Sequence, residues 1–490
     1  MKMKNNTLLK LAVAAVVSAA VCPPAEAKIE LPQILSDHMV LQREAEANLW
    51  GKAAPSSKVT VKASWSEEEY SVKSDRNGAW KLAVKTPEGG YTPYSITVAD
   101  KDGSVTLNDV LVGVVWLCGG QSNMEMPLGG FWACPVEGAL EEIALSGQYR
   151  DRIREVKIPK TGALSPQETV EGSWEVGSPE MASRFTAVGW HFAKMLNAVL
   201  DVPVGLLACN WGGTAVESWL PEEIVRTYPE NTLPLGQYAP KRDPGGWYHH
   251  TCSYIMYNGM LYPVRNYTID GFIWYQGETN AGFHNFYAER LARMVGVWRD
   301  LWGQGELPFY EVELAPYVYG GDGTTGARIR EAQRKAVDLI PNSGIVCTND
   351  LAYPYEYDQI HPCKKTEVGQ RLAYLALNKA YGKSYMPCEG PVYKSMEIKD
   401  DGSVVVSFDN DYNGLSPWHG IVGFELAGED KVFYPAEAEI SGYGNKKVTV
   451  RCDKVSAPVA VRYCFRDFQV GNLTGDRGLP VVPFRSDDWQ

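Results

Sequence analysis

The sequence has 490 residues, of which 45% are hydrophobic and 22% are charged, and its formal net charge is -12. This length exceeds that of one typical domain and predicts two or three, with enough apolar residues for extended cores. The acidic balance and the scattered basic residues argue against a nucleic-acid partner.

Residues 1–27 have the pattern of a signal peptide rather than of a folded element. Lys2 and Lys4 precede an almost wholly apolar stretch over residues 8–21, and Ala25-Glu26-Ala27 supplies a small-x-small cleavage site. We therefore expect cleavage near Ala27 and export of the mature chain, to the periplasm or as a secreted protein. No later apolar run has the length of a membrane span.

The two ends of the mature chain have β patterns. Residues 28–109 contain short alternating runs separated by turn-forming clusters, which predicts an N-terminal β domain of sandwich or jelly-roll type. The β signals return over residues 386–490, which predicts a C-terminal β domain. Within it, Cys452 and Cys464 flank a predicted hairpin and form a candidate disulfide pair.

Residues 110–385 alternate between strand and helix patterns. Apolar runs of strand length are separated by segments in which apolar residues recur at helical spacing, as they do from Phe185 to Val199 and from Leu291 to Leu301. This alternation predicts a parallel sheet with helices on both faces, an α/β fold that binds ligands at the carboxyl ends of its strands. The predicted strands are 112–118, 202–209, 271–276, 307–314 and 344–348.

A polar cluster follows several of these strands. Gln121-Ser122-Asn123 comes after the first, residues 210–214 after the second, residues 276–280 after the third, and a loop with Asp358 and His361 after the last. Because the carboxyl ends of parallel strands meet at one edge of a sheet, we expect the clusters to converge there.

Ser122 is the candidate nucleophile. A serine hydroxyl needs a base to take its proton, and the base needs a group that orients it. Among the seven histidines, His361 has a carboxylate at Asp-x-x-His spacing in such a loop, so Asp358 is predicted to bind one ring nitrogen while the other faces Ser122. The remaining loop histidines, His249, His250 and His284, are interpreted as solvated side chains, with substrate contact as the alternative.

Acyl transfer also requires hydrogen-bond donors for the developing oxyanion. The backbone N–H of Ser122 is one, a backbone N–H of Gly212 or Gly213 is a second, and the side-chain amide of Gln276 or Asn280 is a third. The pattern Gly-x-Ser-x-Gly is absent because Met124 replaces its second glycine, which argues against the α/β-hydrolase nucleophile elbow.

Four segments in this order resemble the sialate O-acetylesterase family, a branch of the SGNH hydrolases: Gly-Gly-Gln-Ser-Asn-Met-Glu at 119–125, Trp-Gly-Gly-Thr at 211–214, Trp-Tyr-Gln-Gly-Glu-Thr-Asn at 274–280 and Asp-Gln-Ile-His-Pro at 358–362. The segment 478–485 also resembles that family's C-terminal end. The resemblance implies a flavodoxin-like three-layer core with β domains at its ends, and removal of acetyl groups from sugar hydroxyls without a metal or other cofactor.

The resemblance also implies roles by position. Ser122 matches the family nucleophile, Asp358 and His361 match the acid and base pair, and Gly213 matches the oxyanion glycine. Gln276 is favoured over Asn280 as third donor because it comes first after its strand. The neighbouring polar residues Gln121, Asn123 and Glu278 are predicted to bind substrate.

The expected function is therefore that of a serine carbohydrate O-acetylesterase whose partner is an acetylated carbohydrate, foremost O-acetylated sialic acid. The alternative substrate is an acetylated plant polysaccharide such as xylan. Two other classes remain open: a glycoside hydrolase in which Glu278 pairs with Asp358 or Asp350, and a carbohydrate-binding protein without catalysis. The sequence indicates no oligomeric state.

Overall fold

A computed structural model describes residues 29–234, 252–441 and 445–489. The predicted signal peptide and both His249 and His250 lie outside these residues. The strands are β1 Val40–Gln42, β2 Glu46–Lys52, β3 Lys58–Ala63, β4 Glu69–Lys73, β5 Ala79–Lys85, β6 Gly90–Asp100, β7 Gly103–Gly120, β8 Ile153–Lys157, β9 Trp174–Val176, β10 Val204–Asn210, β11 Gly271–Tyr275, β12 Phe309–Val312, β13 Ser343–Val346, β14 Val392–Ile398, β15 Val404–Asp409, β16 Leu415–Ser416, β17 Phe424–Ala427, β18 Phe433–Pro435, β19 Glu437–Glu439, β20 Lys447–Arg451, β21 Ala460–Tyr463, β22 Thr474–Gly475 and β23 Phe484–Arg485.

The α-helices lie between the strands of the central region. They are α1 Ser122–Glu125, α2 Ala139–Leu145, α3 Pro179–Ala182, α4 Ala187–Leu200, α5 Glu222–Val225, α6 His284–Trp302, α7 Thr325–Leu339 and α8 Thr366–Leu375, and a π-helical segment, Ala376–Ala380, continues α8. In the described part of the chain, no helix combines the length and the apolar composition that crossing a membrane requires.

The central sheet has the strand order β13-β12-β11-β7-β10-β8-β9. All of these pairings are parallel except that of β8 with β9. Numbered among themselves in chain order, the strands β10-β7-β11-β12-β13 have the order 2-1-3-4-5 of a flavodoxin-like sheet. Each of the five predicted strands is present, with ends shifted by a few residues except for the much longer β7, and the prediction of a flavodoxin-like α/β core is confirmed.

Helices cover both faces of this sheet. Trp116 on β7 is in register with Gly271 on β11. Phe272 follows Gly271 on β11, so the side chains of Trp116 and Phe272 project to opposite faces of the sheet. The ring centroid of Trp116 lies 5.3 Å from that of Phe192 on α4, whereas the ring centroid of Phe272 lies 5.4 Å from that of Trp298 on α6. Since α4 packs with α8 and α6 packs with α7, one pair of helices lies on each face and the region has three layers.

Strand β7 joins the N-terminal β region to the central sheet. Its first half pairs with β6, and its second half lies between β10 and β11. At Asp109 the backbone has a φ of +53°, and the Arg154 guanidinium donates to both carboxylate oxygens of Asp109 at 2.9 and 3.0 Å. The predicted boundary between residues 109 and 110 thus falls at a bend inside one continuous strand, and the N-terminal residues share a hydrophobic core with the central region.

The C-terminal region is a β-sandwich with its own core. One antiparallel sheet has the order β14-β15-β20-β19 and the other β18-β17-β21-β23. Val406 and Val448 from the first sheet pack in one buried cluster with Leu426 and Val461 from the second. The candidate pair Cys452 and Cys464 does not form a disulfide: both are free thiols, like every other described cysteine.

Candidate active site

Ser122 lies at the carboxyl end of β7, where the chain turns from the sheet into α1. Gly120, two residues before it, has a φ of +135°, and a Cβ at this position would lie 2.2 Å from the carbonyl oxygen of Tyr275. Only glycine fits so close to the neighbouring strand. The turn leaves Ser122 half-buried as the first residue of α1.

The turn after β10 lies against Ser122. A Cβ at Gly212 would come within 3.1 Å of the Ser122 Cβ, and Gly213 adopts a left-handed conformation with a φ of +75°. The Gly212 N–H donates to Oε2 of Glu125 at 2.7 Å. The Gly212 N–H, the alternative oxyanion donor, is therefore engaged by Glu125. Gly213 is left as the glycine of this turn whose N–H can donate to an oxyanion.

Glu125 is fixed by a second contact. Its Oε1 lies 2.6 Å from the Lys160 ammonium, and its side chain is only 10% exposed. Glu125 follows Ser122 by three residues, so one turn of helix connects the nucleophile to the carboxylate that holds the glycine turn.

The side-chain amide of Gln276 is fully buried and satisfied by protein groups. Its Nε2 donates to the carbonyl of Thr214 at 3.0 Å and to Oδ1 of Asn280 at 2.8 Å, and its Oε1 accepts from the Tyr287 hydroxyl at 3.1 Å. Both amide hydrogens are thus directed at protein oxygens. In this geometry Gln276 holds the residue next to Gly213 rather than presenting a donor to substrate.

Asn280 is part of the same buried network. Its Oδ1 also accepts from the Val216 N–H at 3.0 Å, and its Nδ2 donates to Oε2 of Glu217 at 3.0 Å. Glu217 in turn forms a buried ion pair with Arg290 at 2.6 Å. Gln276 and Asn280 therefore stabilise the segment 211–217 through hydrogen bonds to Thr214, Val216 and Glu217.

Asn123 connects the nucleophile turn to two other loops. Its Nδ2 donates to Oε1 of Glu278 at 2.6 Å and to the carbonyl of Ile360 at 2.9 Å, while its Oδ1 accepts from the Lys365 ammonium at 2.7 Å. Because Ile360 precedes His361, this amide brings the base loop next to Ser122. Asn123 is 1% exposed, so its predicted contact with substrate is replaced by contacts that assemble the site.

Gln121 also binds backbone. Its Oε1 accepts from the N–H groups of Gly277 and Thr279 at 3.3 and 3.4 Å, and the residue is 3% exposed. Like Asn123, it ties the turn after β7 to the turn after β11.

Asn123 bridges the half-buried Glu278 and the fully buried Lys365. Burial raises the pKa of Glu278, and burial lowers the pKa of Lys365 to about 8 although the charge of Glu278 acts to raise it. Oε2 of Glu278 is buried and has no hydrogen-bond partner among the described residues.

His361 lies in the loop between β13 and α8. Its ring contacts Phe131 edge-on, with centroids 5.3 Å apart. Burial, followed by the positive charge of Lys365, lowers the pKa of His361 to about 4, while Glu125 acts in the opposite direction. The ring is therefore neutral at pH 7, the state that a general base requires. Its Nε2 is buried and makes no hydrogen bond within the described residues.

Asp358 is exposed on the same loop, and no hydrogen bond joins its carboxylate to His361 in the described structure. The loop itself is held by Glu356, which accepts from the backbone N–H groups of Tyr353 and Cys363 at 2.8 Å each. Asp350, the other carboxylate that could pair with Glu278 in a glycoside hydrolase, binds Arg371 through both of its oxygens at 2.7 and 2.6 Å.

The structure thus brings together Ser122, Gly213 and His361 at the carboxyl edge of the sheet, with Gln276 and Asn280 behind them. Sequence reasoning missed Glu125 and Lys365. Their spacing was the available signal: Glu125 comes three residues after Ser122, and Lys365 comes four residues after His361, at the start of a helix.

Comparisons with known proteins extend over most of the chain. The family described as carbohydrate esterase, sialic acid-specific acetylesterase, matches residues 112–378. A carbohydrate acetylesterase from Xanthomonas citri, known from its crystal structure, is 36% identical, with a TM-score of 0.82 and coverage of 94% of this chain and 100% of that one.

Two mammalian proteins are more distant. The sialate O-acetylesterase of Homo sapiens is 28% identical over 400 residues, which cover 74% of this chain and 73% of the human protein. That of Rattus norvegicus is 26% identical over 424 residues, which cover 74% of this chain and 76% of the rat protein.

Proposed function

Because this chain belongs to the sialic acid-specific acetylesterase family of carbohydrate esterases, we propose that it removes acetyl groups from sugar hydroxyls with Ser122 as nucleophile and His361 as general base. It is a carboxylic ester hydrolase that acts on acetylated carbohydrate. The residue assignment rests on Asn123, the residue directly after Ser122. Its side-chain amide donates to the carbonyl of Ile360 and so binds the loop of His361.

In the first step, Oγ of Ser122 attacks the acetyl carbonyl carbon while His361 accepts the hydroxyl proton. The backbone N–H groups of Ser122 and Gly213 donate to the resulting oxyanion. The C–O bond to the sugar then breaks, and the sugar oxygen takes the proton from His361. This step leaves an acetyl group on Ser122.

In the second step, His361 takes a proton from water, and the hydroxide attacks the acetyl-serine carbonyl. Collapse of the tetrahedral intermediate breaks the bond to Oγ of Ser122, which recovers a proton from His361, and acetate leaves. Gln276 contributes by fixing the turn that holds Gly213. Asp358 is assigned to orient the protonated ring of His361, a role that requires its exposed carboxylate to move to the ring.

The foremost substrate is O-acetylated sialic acid, as the names of the mammalian relatives suggest, and acetylated plant polysaccharide is the alternative. A glycoside hydrolase is disfavoured because both carboxylate oxygens of Asp350 are engaged by Arg371, and because that function would leave Ser122 and His361 without a role. From the pattern of residues 1–27 we also propose that the enzyme is exported.

The test is acetate release by the purified mature chain from O-acetylated sialic acid and from acetylated xylan, with Ser122→Ala as control. We expect the variant to lose about 10⁴-fold or more of the turnover, as removal of a triad member does elsewhere. Labelling of Ser122 by a serine-directed organophosphonate distinguishes the esterase from both rival classes. A Ser122→Ala variant of normal rate would reject the assignment.

A further inference from the structure

The most exposed tryptophan of the described chain directly follows a residue that contacts His361. Trp132 is 95% exposed, and the residue before it, Phe131, contacts the ring of His361. Two backbone hydrogen bonds between Phe131 and Cys134, at 2.9 and 3.0 Å, close a tight turn around Trp132 and Ala133. Ala133, the second central residue of this turn, has a φ of +58°, the left-handed conformation that a type II turn requires at that position. The backbone that carries the exposed Trp132 side chain is therefore fixed next to Phe131, the residue that contacts His361.

A second exposed aromatic side chain is held on the His361 loop. Tyr355 is 72% exposed, and its ring stacks on Tyr353 with centroids 5.2 Å apart and planes inclined by 10°. The Lys364 ammonium lies 4.2 Å from the ring centroid of Tyr353. The Tyr353 hydroxyl donates to Oε2 of Glu137 at 2.9 Å. Tyr355 thus presents an aromatic surface that is ordered before any ligand binds.

The loops that carry these two rings are joined to each other. The Glu137 N–H donates to the carbonyl of Cys363 at 3.0 Å, and the Glu137 carboxylate binds Tyr353. The segments that carry Trp132 and Tyr355 are therefore linked to each other near His361, and we call these two exposed rings the aromatic rim. Exposed aromatic rings are costly to solvate, and the Tyr355 ring, which already stacks on Tyr353, loses little entropy on binding a ligand.

We infer that the aromatic rim binds the sugar unit next to the acetylated one, so that the substrate is an acetylated glycan chain rather than a free acetylated monosaccharide. The apolar face of a pyranose ring matches an exposed aromatic ring, and a chain whose acetyl group lies at Ser122 extends past His361 onto the rim. This inference rests on the proposed esterase function and specifies its substrate class.

The test compares matched substrates with the purified mature chain. One pair is acetylated xylotetraose and an acetylated methyl xyloside; the other is O-acetylated sialyllactose and O-acetylated free sialic acid. For whichever pair is accepted, we expect the wild type to show the higher kcat/KM on the longer substrate. Trp132→Ala and Tyr355→Ala should each lower kcat/KM on that substrate about 10-fold, mainly through KM, and leave 4-nitrophenyl acetate hydrolysis within about twofold of wild type.

Tyr385→Ala is the matched control. Tyr385 is 74% exposed but follows the far end of α8, the helix that leads away from His361, so both activities should stay at the wild-type level. Equal loss of small-ester and glycan activity in the rim variants would overturn the inference, because it would mean that the rim only supports His361. A preference for the monosaccharide, or rim variants that treat the glycan like wild type, would also overturn it.

Failure of the underlying function would look different. If hydrolysis of 4-nitrophenyl acetate and of all four sugar esters did not depend on Ser122, the esterase assignment itself would be rejected and the inference with it. If hydrolysis depends on Ser122 but Trp132→Ala and Tyr355→Ala leave glycan hydrolysis unchanged, the inference is rejected and the esterase assignment stands.

Discussion

The Lys365 ammonium donates a 2.7 Å hydrogen bond to the amide oxygen of Asn123, the residue that follows Ser122. The same amide donates to the carbonyl of Ile360, the residue that precedes His361. A single buried side chain therefore connects the nucleophile turn, the base loop and the first turn of α8. The separation between Ser122 and His361 therefore depends on this amide, which joins the elements that carry them.

Asn123→Ala should weaken both the fold and the reaction. The change leaves the buried Lys365 and the half-buried Glu278 without their common partner, so we expect the free energy of unfolding to fall by about 2–4 kcal/mol. The rate constant kcat should fall more than KM rises, because the base loop loses its link to Ser122. Urea unfolding and steady-state kinetics measure the two effects. An unchanged unfolding free energy would contradict the bridging role.

The pH–rate profile should have its acid limb near pH 4. Burial, helped by the charge of Lys365, lowers the pKa of His361 to about 4 from its ordinary value of 6.5. Only the neutral ring accepts the Ser122 proton, so kcat/KM should hold steady as the pH falls from neutrality and be lost as it passes through about 4.

A variant of Lys365 checks the origin of this limb. Lys365→Met removes the positive charge that disfavours protonation of His361, so the midpoint of the limb should move to higher pH. The readout is the midpoint, which is independent of how much active enzyme the variant yields. A wild-type limb near pH 6.5, the ordinary value for histidine, would show that the ring is not desolvated in solution.

Glu125 should act on catalysis through the glycine turn. Glu125→Ala removes the acceptor of the Gly212 N–H, so the turn can relax and move the Gly213 N–H away from the oxyanion. We expect kcat to fall by about 10²-fold, the usual loss for one oxyanion donor, with little change in KM. Glu125→Gln keeps an acceptor oxygen and should recover most of the rate. Equal losses in the two variants would assign the effect to the charge facing Lys160 instead.

Asp358 provides a test of the third catalytic member. If it turns in to orient His361 during turnover, Asp358→Asn should lower kcat by about 10⁴-fold without changing stability, because the residue is exposed in the free enzyme. Asp350→Asn is a useful contrast: it breaks a bidentate pair with Arg371 and should reduce the melting temperature rather than abolish activity. An active Asp358→Asn variant would mean that His361 works without this carboxylate.

The sequence was sufficient to predict the parallel sheet and the convergence of its strand ends, because buried strands and the polar clusters after them leave local patterns. It placed the start of the first central strand at Val112, whereas β7 begins at Gly103. The earlier residues alternate as an antiparallel partner of β6, and the strand bends at Asp109 through a contact with Arg154 that no local pattern shows.

The same limit applies to the polar residues of the site. Asn123 and Glu278 were predicted to face substrate because they lie in the motifs, but their partners come from loops more than 150 residues away in the sequence. Whether a polar side chain near a strand end binds ligand or backbone depends on such distant partners. Glu125 and Lys365 were missed because their spacing from Ser122 and His361 is a weak signal until their partners in other segments are known.

Gln276 and Asn280 should behave as one unit rather than as alternative oxyanion donors. Gln276 donates to Asn280 and to the carbonyl of Thr214, and Asn280 accepts from Val216, so both hold the segment around Gly213. Each alanine variant should lower kcat, by about 10²-fold for Gln276→Ala. Because the two side chains share a hydrogen bond, the double variant should be little slower than the more damaging single one, with a coupling energy of about 1–3 kcal/mol.

A double-mutant cycle of kcat/KM values measures this coupling. As a reference pair without a shared contact, Gln276→Ala combined with the rim variant Tyr355→Ala should give additive losses on a glycan substrate. Additive losses for Gln276 and Asn280 would mean that the Gln276 amide leaves Thr214 and donates to the oxyanion by itself. If only Asn280→Ala lost kcat/KM, while Gln276→Ala kept it, Asn280 would be the third oxyanion donor instead.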